Sequence, residues 1–188
     1  IPSGETSSYR SNPLKLAEFT LSRKDPQYVS RAKAIQAEEL KRRRGEETDA
    51  LDGDFRFAAR KTGLGSFVMA LKPGDGSARE QAASCQRVLG GCANVAREYA
   101  TKRYRSNVVN WGMLPFVAED VEDWNIQPGD RIHISNIRQL LQEGGEQVPA
   151  RLLRKDGGSQ TITLKLPGMT QEEREIILAG CLINYYAK

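Results

Sequence analysis

The spacing of apolar residues differs between the first third of the chain and the remainder. Residues 28–44 carry apolar side chains at helical intervals on a charged background, which predicts a long amphipathic helix. Residues 1–13 are polar, rich in turn-forming residues and without periodicity. The charged stretch 41–54 breaks the helix at Gly45. Its basic residues are expected to be solvated, because the helix macrodipole favours cations at a C-terminus.

Beyond Phe55, short apolar runs alternate with helical spacings. Strands are predicted at residues 66–71, 93–96 and 131–135, and helices at residues 79–89 and 98–107. A hydrophobic segment at residues 108–117 separates these helices from the later strands.

The last forty residues contain two local signals of structure. Strands predicted at residues 150–155 and 160–166 flank Asp156-Gly157-Gly158, which is a hairpin turn signature. A closing helix is predicted over residues 171–186, introduced by Thr170 with Glu173 three positions on, the pattern of a capping box.

Strand–helix alternation followed by a β-rich portion predicts a single α/β domain with a mixed sheet and flanking helices. The domain is expected to comprise all of residues 1–188. Within it, residues 1–54 form an N-terminal arm with the long helix and the charged insertion, and residues 55–188 form the core.

Composition narrows the class of protein. The chain has 28 cationic and 24 anionic side chains, a net charge of +4, mixed along its length. Nucleic-acid-binding proteins usually have a larger and more segregated excess, so nucleic acid is not expected as a partner. No apolar run approaches the roughly 20 residues needed to cross a bilayer, and no secretory signal is present. Because the first residue is Ile1 and not Met, we expect a segment of a longer polypeptide.

Cysteine and histidine content argues against a metal centre within this chain. Cys85, Cys92 and Cys181 are an odd number without CxxC spacing, which indicates neither a disulfide framework nor a zinc site. We therefore expect a reducing, cytoplasmic compartment. His133, the only histidine, alternates with Ile132 and Ile134 and is expected to face solvent.

The loop 74-GDGS-77 lies between a predicted strand and a predicted helix, where open α/β sheets bind ligands. Free backbone N–H groups and the helix dipole make this position suitable for phosphate or carboxylate. Neither the dinucleotide fingerprint nor the phosphate-loop pattern is present, since both require residues that are absent here. The sequence indicates a compact anion pocket that contains Ser77 and Arg79.

A structural role is the alternative for the same loop. Ser77 and Glu80 have the S-x-x-E spacing of a capping box, which stabilises a helix by about 0.5–2 kcal/mol. On the local pattern alone the capping role is favoured, because capping boxes are common. The two roles are compatible, since a capping serine is still exposed beside an arginine.

Several short motifs, taken in their order along the chain, resemble those of a known family. After 74-GDGSAREQAA-83 come Arg105-Ser106-Asn107 and Gly112-Met113-Leu114-Pro115, then 128-PGDRIHI-134 and the closing segment 172–186. With the opening IPSGETSSYRSN, this order resembles the C-terminal swivelling domain of the aconitase family. The resemblance covers nearly the whole chain apart from residues 41–54. It implies a swivelling β/β/α-type fold with a mixed sheet.

The resemblance also implies an activity and a set of site residues. The family is one of hydro-lyases, in which a serine alkoxide removes a proton next to a substrate carboxylate. Ser77 matches that catalytic serine, Arg79 matches an arginine that binds a substrate carboxylate, and Arg10 matches a second one. A 4Fe–4S cluster is implied in the full enzyme, ligated by other domains and not bound by this chain. The partners implied are those domains, or a large subunit, and a small di- or tricarboxylic hydroxy acid such as citrate or isocitrate.

This chain departs from the family pattern in the site itself. Ala78 replaces the family's second loop serine, so a substrate-contacting hydroxyl is lost while the backbone N–H remains. Gln81 replaces a common histidine, and the three cluster cysteines of the family are absent. We expect the isolated chain to be inactive, and the Ala78 replacement leaves the substrate open.

Two alternatives remain at this level. One is a free-standing small subunit of a 3-isopropylmalate-type isomerase. The other is a non-catalytic module that binds carboxylates or RNA, for which a net charge of +4 is weak support. The Arg-Ser-Asn and Gly-Met-Leu-Pro landmarks favour the fused aconitase-like form.

Overall fold

A computed structural model describes residues 1–2, 4, 6–46 and 61–187. Most of the charged insertion and the predicted boundary between residues 54 and 55 lie outside these residues. A short 3-10 helix at Ser7–Tyr9 precedes the first regular elements. In chain order the elements are α1 (Pro13–Ala17), α2 (Tyr28–Arg43), β1 (Ser66–Ala70), α3 (Arg79–Val88), β2 (Gly91–Ala96), α4 (Lys102–Asn110), β3 (Leu114–Val117), β4 (Arg131–His133), α5 (Ile137–Glu143), β5 (Gln147–Leu153), β6 (Ser159–Lys165), α6 (Gln171–Ala179) and α7 (Leu182–Tyr186).

The strands form one sheet of six, in the order β1-β2-β3-β6-β5-β4. The chain crosses from β1 to β2 and from β2 to β3 through helices, the connection that parallel neighbours require. The other three pairs, β3–β6, β6–β5 and β5–β4, are antiparallel. The predicted α/β fold with a mixed sheet and flanking helices is confirmed.

The hairpin is predicted correctly because its signals are local. β5 and β6 pair in register from Gln147↔Lys165 to Leu153↔Ser159. Along β5, Val148, Ala150 and Leu152 are buried and the residues between them are not, which is the alternation of a sheet with one solvated face.

Contacts divide the chain into two compact units. The first comprises residues 1–67 and 78–93, and here α1 packs against α3. Its core contains Leu16, Ala17, Ala32, Ala83, Cys85 and Leu89. The second comprises residues 68–77 and 94–188, and here α6 packs against α4, α5 and α7. Its core contains Val108, Met113, Phe116, Trp124, Leu152, Leu164 and Ile176.

At the basic C-terminal end of α2, one residue, Arg42, is not solvated as expected. The Arg42 side chain is 11% exposed and binds Glu39 at 2.6 Å. Glu39 also accepts from the Leu64 N–H at 2.9 Å and pairs with Arg43 at 2.8 Å. Burial alone would raise the pKa of Glu39, but the bonds from Arg42, Leu64 and Arg43 outweigh it and lower that pKa to about 2. The neighbouring Arg43 and Arg44 are exposed as expected.

The closing helix predicted over residues 171–186 is wrong as a single element. The capping box that starts α6 is confirmed: Thr170 accepts from the Glu173 N–H, and the Glu173 side chain accepts from the Thr170 N–H. Gly180 has a φ of +97°, which ends α6 in a left-handed cap, and α7 begins after Cys181. A glycine inside the apolar pattern was the available signal.

One further helix boundary and one whole helix differ from the prediction. The helix predicted at residues 98–107 begins at Lys102, because Thr101 accepts from the Tyr104 N–H at 3.2 Å and caps it. Helix α5 is missed by the sequence analysis, although it ends at left-handed Gly144.

His133 is half-buried and not fully exposed, and burial, with a smaller effect of Arg151, lowers its pKa. Among the described residues, no helix is both long and apolar enough to span a bilayer.

Candidate functional site

The loop that follows β1 is attached along its first half to the segment that leads into α4. The Glu98 N–H donates to the Leu71 carbonyl at 3.1 Å, and the Ala100 N–H donates to the Pro73 carbonyl at 2.9 Å. All four residues belong to the second unit. Because backbone groups make these bonds, side-chain chemistry alone does not reveal them in the sequence.

Gly74 is the position at which the loop comes closest to α4. Its φ is +97°, a conformation that disfavours side chains. A Cβ on Gly74 would lie 2.5 Å from atoms of the Tyr104 side chain. The Thr101 hydroxyl donates to the Gly74 carbonyl at 3.2 Å. Glycine is therefore required here both for its conformation and for the close approach to α4.

A buried polar pair lies at the base of this contact. Asn94, on β2, donates through Nδ2 to the Tyr104 hydroxyl at 3.0 Å, and both residues are buried. Burial raises the pKa of the Tyr104 phenol against a smaller, opposite effect of the bond from Asn94. Burial also raises the pKa of Tyr99, whose hydroxyl donates to the Phe116 carbonyl at 3.3 Å. Both phenols thus stay protonated at neutral pH and are not candidate bases.

Helix α3 starts without the capping box that the sequence predicts. Its N-cap residue is Ala78, with φ −89° and ψ 52°, and no side chain caps the helix. The capping role expected for Ser77 and Glu80 is therefore wrong. The helix begins one residue later than the box requires, which leaves Ser77 exposed, just ahead of the first turn. Within the part of the chain that the structure describes, the N-cap position of α3 therefore supplies no side-chain acceptor for the first-turn N–H groups.

The predicted site residues are found at two places in the chain. Ser77, Ala78 and Arg79 follow one another at the junction of the loop and α3, and Arg79 is the first helical residue. Arg10 is exposed and directly follows the short 3-10 helix. It lies three residues before α1, which packs against α3. The roles of these four residues stay predictions.

The described cysteines do not fit a metal cluster. Burial raises the pKa of Cys85 to about 11, and burial likewise raises the pKa of Cys92 to about 11, so both thiols are protonated at neutral pH. Cys92 donates to the Ser66 carbonyl at 3.4 Å. Within the described part of the chain, no three His, Cys, Asp or Glu side chains form a group that could hold a metal ion.

Sequence reasoning missed the residues that hold the loop, namely Thr101, Tyr104 and Asn94. Thr101 was visible as a helix-capping residue type before a charged run, but its bond to Gly74 joins positions 27 residues apart. A single sequence gives no signal for such a pair.

A sequence profile of the family described as the aconitase C-terminal domain matches residues 23–120. "Putative aconitate hydratase, mitochondrial" of Aspergillus fumigatus is 32% identical over 117 residues, which are 61% of this chain and 14% of that protein. "Homocitrate dehydratase, mitochondrial" of Saccharomyces cerevisiae is 29% identical over 116 residues, 60% of this chain and 14% of that protein.

A shorter relative is also matched. "Homoaconitase small subunit" of Thermus thermophilus is 33% identical over 95 residues, 45% of this chain and 57% of that protein. The match thus spans about one seventh of the two longer relatives and just over half of the small subunit.

Proposed function

Because this chain belongs to the aconitase C-terminal domain family, we propose that it is the part of a hydro-lyase that supplies a serine base and an arginine clamp for substrate carboxylates. The reaction is the reversible dehydration of a hydroxy acid with two or three carboxylates, such as citrate or isocitrate. Homocitrate is a further candidate, since one relative is named for its dehydration.

The observation that carries this proposal is the helix N-terminus at Ala78. No side chain caps α3, and the exposed Ser77 directly precedes the N-cap residue. A serine hydroxyl is a weak base, so its alkoxide needs stabilisation by N–H donors and nearby cations. An N-cap side chain would occupy one of the free N–H groups at the helix start, so its absence at Ala78 leaves more donors for the alkoxide.

In the proposed chemistry, the Ser77 alkoxide takes the proton from the carbon next to a substrate carboxylate. Arg79 binds that carboxylate, since a planar guanidinium matches it with two parallel bonds. Arg10 binds a second carboxylate. Ala78 contributes its backbone N–H without a hydroxyl, so the substrate loses one hydrogen bond relative to the family pattern. That difference favours a substrate related to citrate over citrate itself.

The departing hydroxyl requires an acceptor that this chain does not supply. We propose that a 4Fe–4S cluster, held by other domains of the full enzyme, would accept it, as the resemblance to the aconitase family implies. Those domains belong to the same polypeptide in the favoured form. Cytoplasmic location stays a prediction, and two of the relatives are mitochondrial by name.

A separate small subunit of an isomerase-type hydro-lyase is the second candidate. It is favoured by the match to 57% of a homoaconitase small subunit, against 14% of the fused relatives. The length of the native reading frame distinguishes the two forms, since the fused form requires several hundred further residues. The role of Ser77 is the same in both.

The test is Ser77→Ala in the full-length protein or in the complex with its large subunit. Because Ser77 makes no helix cap, we expect the melting temperature to stay within about 2 °C of wild type. Turnover of citrate, isocitrate or homocitrate should fall by about 10³-fold or more. The matched control is Thr170→Ala, which removes a cap and should lower the melting temperature while turnover remains. Turnover retained by Ser77→Ala would contradict the proposal.

A further inference from the structure

We propose that Thr101 is a positioning residue for Ser77. Its hydroxyl group both starts α4 and holds the carbonyl of Gly74, so the loop that carries Ser77 is fixed to the first turn of that helix. This inference rests on the proposed function, in which Ser77 is the base.

The Thr101 hydroxyl uses both of its hydrogen-bonding capacities. It accepts from the Tyr104 N–H at 3.2 Å, which caps α4. It donates to the Gly74 carbonyl at 3.2 Å. A hydroxyl has one proton to donate, so here it is committed to the loop. Helix capping alone requires only an acceptor, which makes the donation to Gly74 a separate function of the side chain.

The second contact at Gly74 is steric. The Tyr104 ring occupies the space that a Cβ on Gly74 would enter, at 2.5 Å. The ring is itself fixed by Asn94, whose Nδ2 donates to the phenol oxygen at 3.0 Å. Asn94 Oδ1 is buried without a hydrogen-bond partner among the described residues. Leaving a buried amide oxygen without a hydrogen bond is destabilising. The pair therefore contributes a defined position for the ring more than stability.

Fixing Gly74 restricts Ser77 because the connection is short. Asp75 and Gly76 alone separate them. Three Cα–Cα steps of about 3.8 Å keep the Ser77 Cα within about 11 Å of that of Gly74. Among the described residues, no atom lies within 4 Å of the position that a Cβ on Gly76 would take. The fixed position of Gly74 is thus a restraint on Ser77 from its N-terminal side.

Aspartate and asparagine are nearly isosteric with each other, and placing each at position 101 separates the capping of α4 from the hydrogen bond to the Gly74 carbonyl. Thr101→Asp keeps an acceptor for the Tyr104 N–H, and aspartate is a good N-cap residue, but it has no proton for the Gly74 carbonyl. Thr101→Asn keeps both an acceptor and a donor. Thr101→Ser keeps the hydroxyl itself and serves as the conservative variant.

All three variants are measured in the full-length protein with its partner domains or subunit, on citrate, isocitrate and homocitrate. We expect Thr101→Asp to lower kcat about 10- to 100-fold while KM changes less than about threefold and the melting temperature less than about 3 °C. Deuterium exchange of a peptide spanning residues 71–78 should accelerate about tenfold or more in this variant and not in Thr101→Ser or Thr101→Asn. Peptides from the β5–β6 hairpin serve as the internal control.

The inference is overturned if Thr101→Asp keeps wild-type kcat, or if the aspartate and asparagine variants lose kcat equally. Should Thr101→Asp fail to fold, Thr101→Val replaces it, with unchanged exchange of residues 71–78 as the contradicting result. Ser77→Ala is measured in parallel. If Ser77→Ala retains turnover, the proposed function is wrong, and this role of Thr101 is wrong with it. If Ser77→Ala is inactive while Thr101→Asp keeps wild-type turnover, only the role of Thr101 is wrong.

Discussion

Helices α3 and α6 begin with the same sequence signature and yet begin differently in the structure. Ser77 with Glu80 and Thr170 with Glu173 both have the spacing of a capping box. At α6 both reciprocal bonds form, at 3.2 Å and 3.0 Å. At α3 no side chain caps the helix, which has Ala78 as its N-cap residue. The signature therefore indicates a helix start but does not determine whether its N–H groups are satisfied.

Backbone conformation explains the difference. Thr170 has φ −71° and ψ 161°, the extended conformation from which a capping side chain reaches the first turn. Ala78 has ψ 52°, and Ser77 lies one residue too early to occupy the N-cap position. The start of α6 is thus capped by its own side chains, whereas the N-cap residue of α3 supplies no capping side chain.

The largest effect is expected at the first residue of each helix, Arg79 in α3 and Gln171 in α6. Arg79→Gln should lower kcat/KM of the full enzyme about 10²-fold, because a bidentate charge-assisted contact to substrate is lost. Gln171→Arg, the reciprocal change, should leave kcat/KM within about twofold. Steady-state kinetics of both variants checks this, and equal effects would remove the functional distinction between the two helix starts.

Glu173 at the start of α6 should contribute much more to stability than Glu80, the glutamate of the same sequence signature at the start of α3. Glu173 accepts from the Thr170 N–H and also binds Arg105 at 2.7 Å, and both charged side chains are about one-fifth exposed. Glu173→Ala should therefore lower the free energy of unfolding by about 2–3 kcal/mol. Glu80→Ala should lower it by less than about 1 kcal/mol, because Glu80 is the second helical residue and not the third, which is the position of a capping-box glutamate. Urea denaturation compares the two, and a larger loss for Glu80→Ala would contradict the assignment of the caps.

The parts of the fold that the sequence predicts are those with local causes. The hairpin follows from Asp156-Gly157-Gly158, and the α6 cap follows from two residues three positions apart. The missed features depend on contacts distant in sequence. Gly112 illustrates this, since a Cβ there would lie 1.8 Å from the carbonyl oxygen of Gly180, where α6 ends.

In the candidate site, too, the features with local causes are predicted from the sequence and those that depend on distant contacts are not. Ser77 and Arg79 can be chosen from a short motif, although their roles stay predictions. The attachment of their loop through Thr101 and Gly74 cannot be predicted from a short motif, because the two residues are 27 positions apart. The absence of a cap at α3 also depends on backbone angles at Ala78, and residue types alone do not specify these angles.

The cap residues themselves give a smaller difference in stability. Thr170→Ala removes a bond that satisfies the Glu173 N–H and should lower the free energy of unfolding by about 1 kcal/mol. Ser77→Ala should change it by less than about 0.5 kcal/mol, as expected for an exposed side chain without a capping bond. Equal losses in thermal or urea denaturation would mean that Ser77 caps α3 in solution.

The smallest effect is expected from adding a cap to α3. Ala78→Ser places a hydroxyl at the N-cap position and also restores the second serine of the family pattern. The ψ of 52° at this position is outside the extended range of N-cap residues, so the gain in stability should be at most about 0.5 kcal/mol. If the first-turn N–H groups bind substrate, this hydroxyl should compete with the substrate only weakly, and KM should change by less than about threefold. Denaturation and steady-state kinetics measure both quantities. A gain of about 1 kcal/mol or more would instead mean that the residue at position 78 adopts the extended conformation in solution.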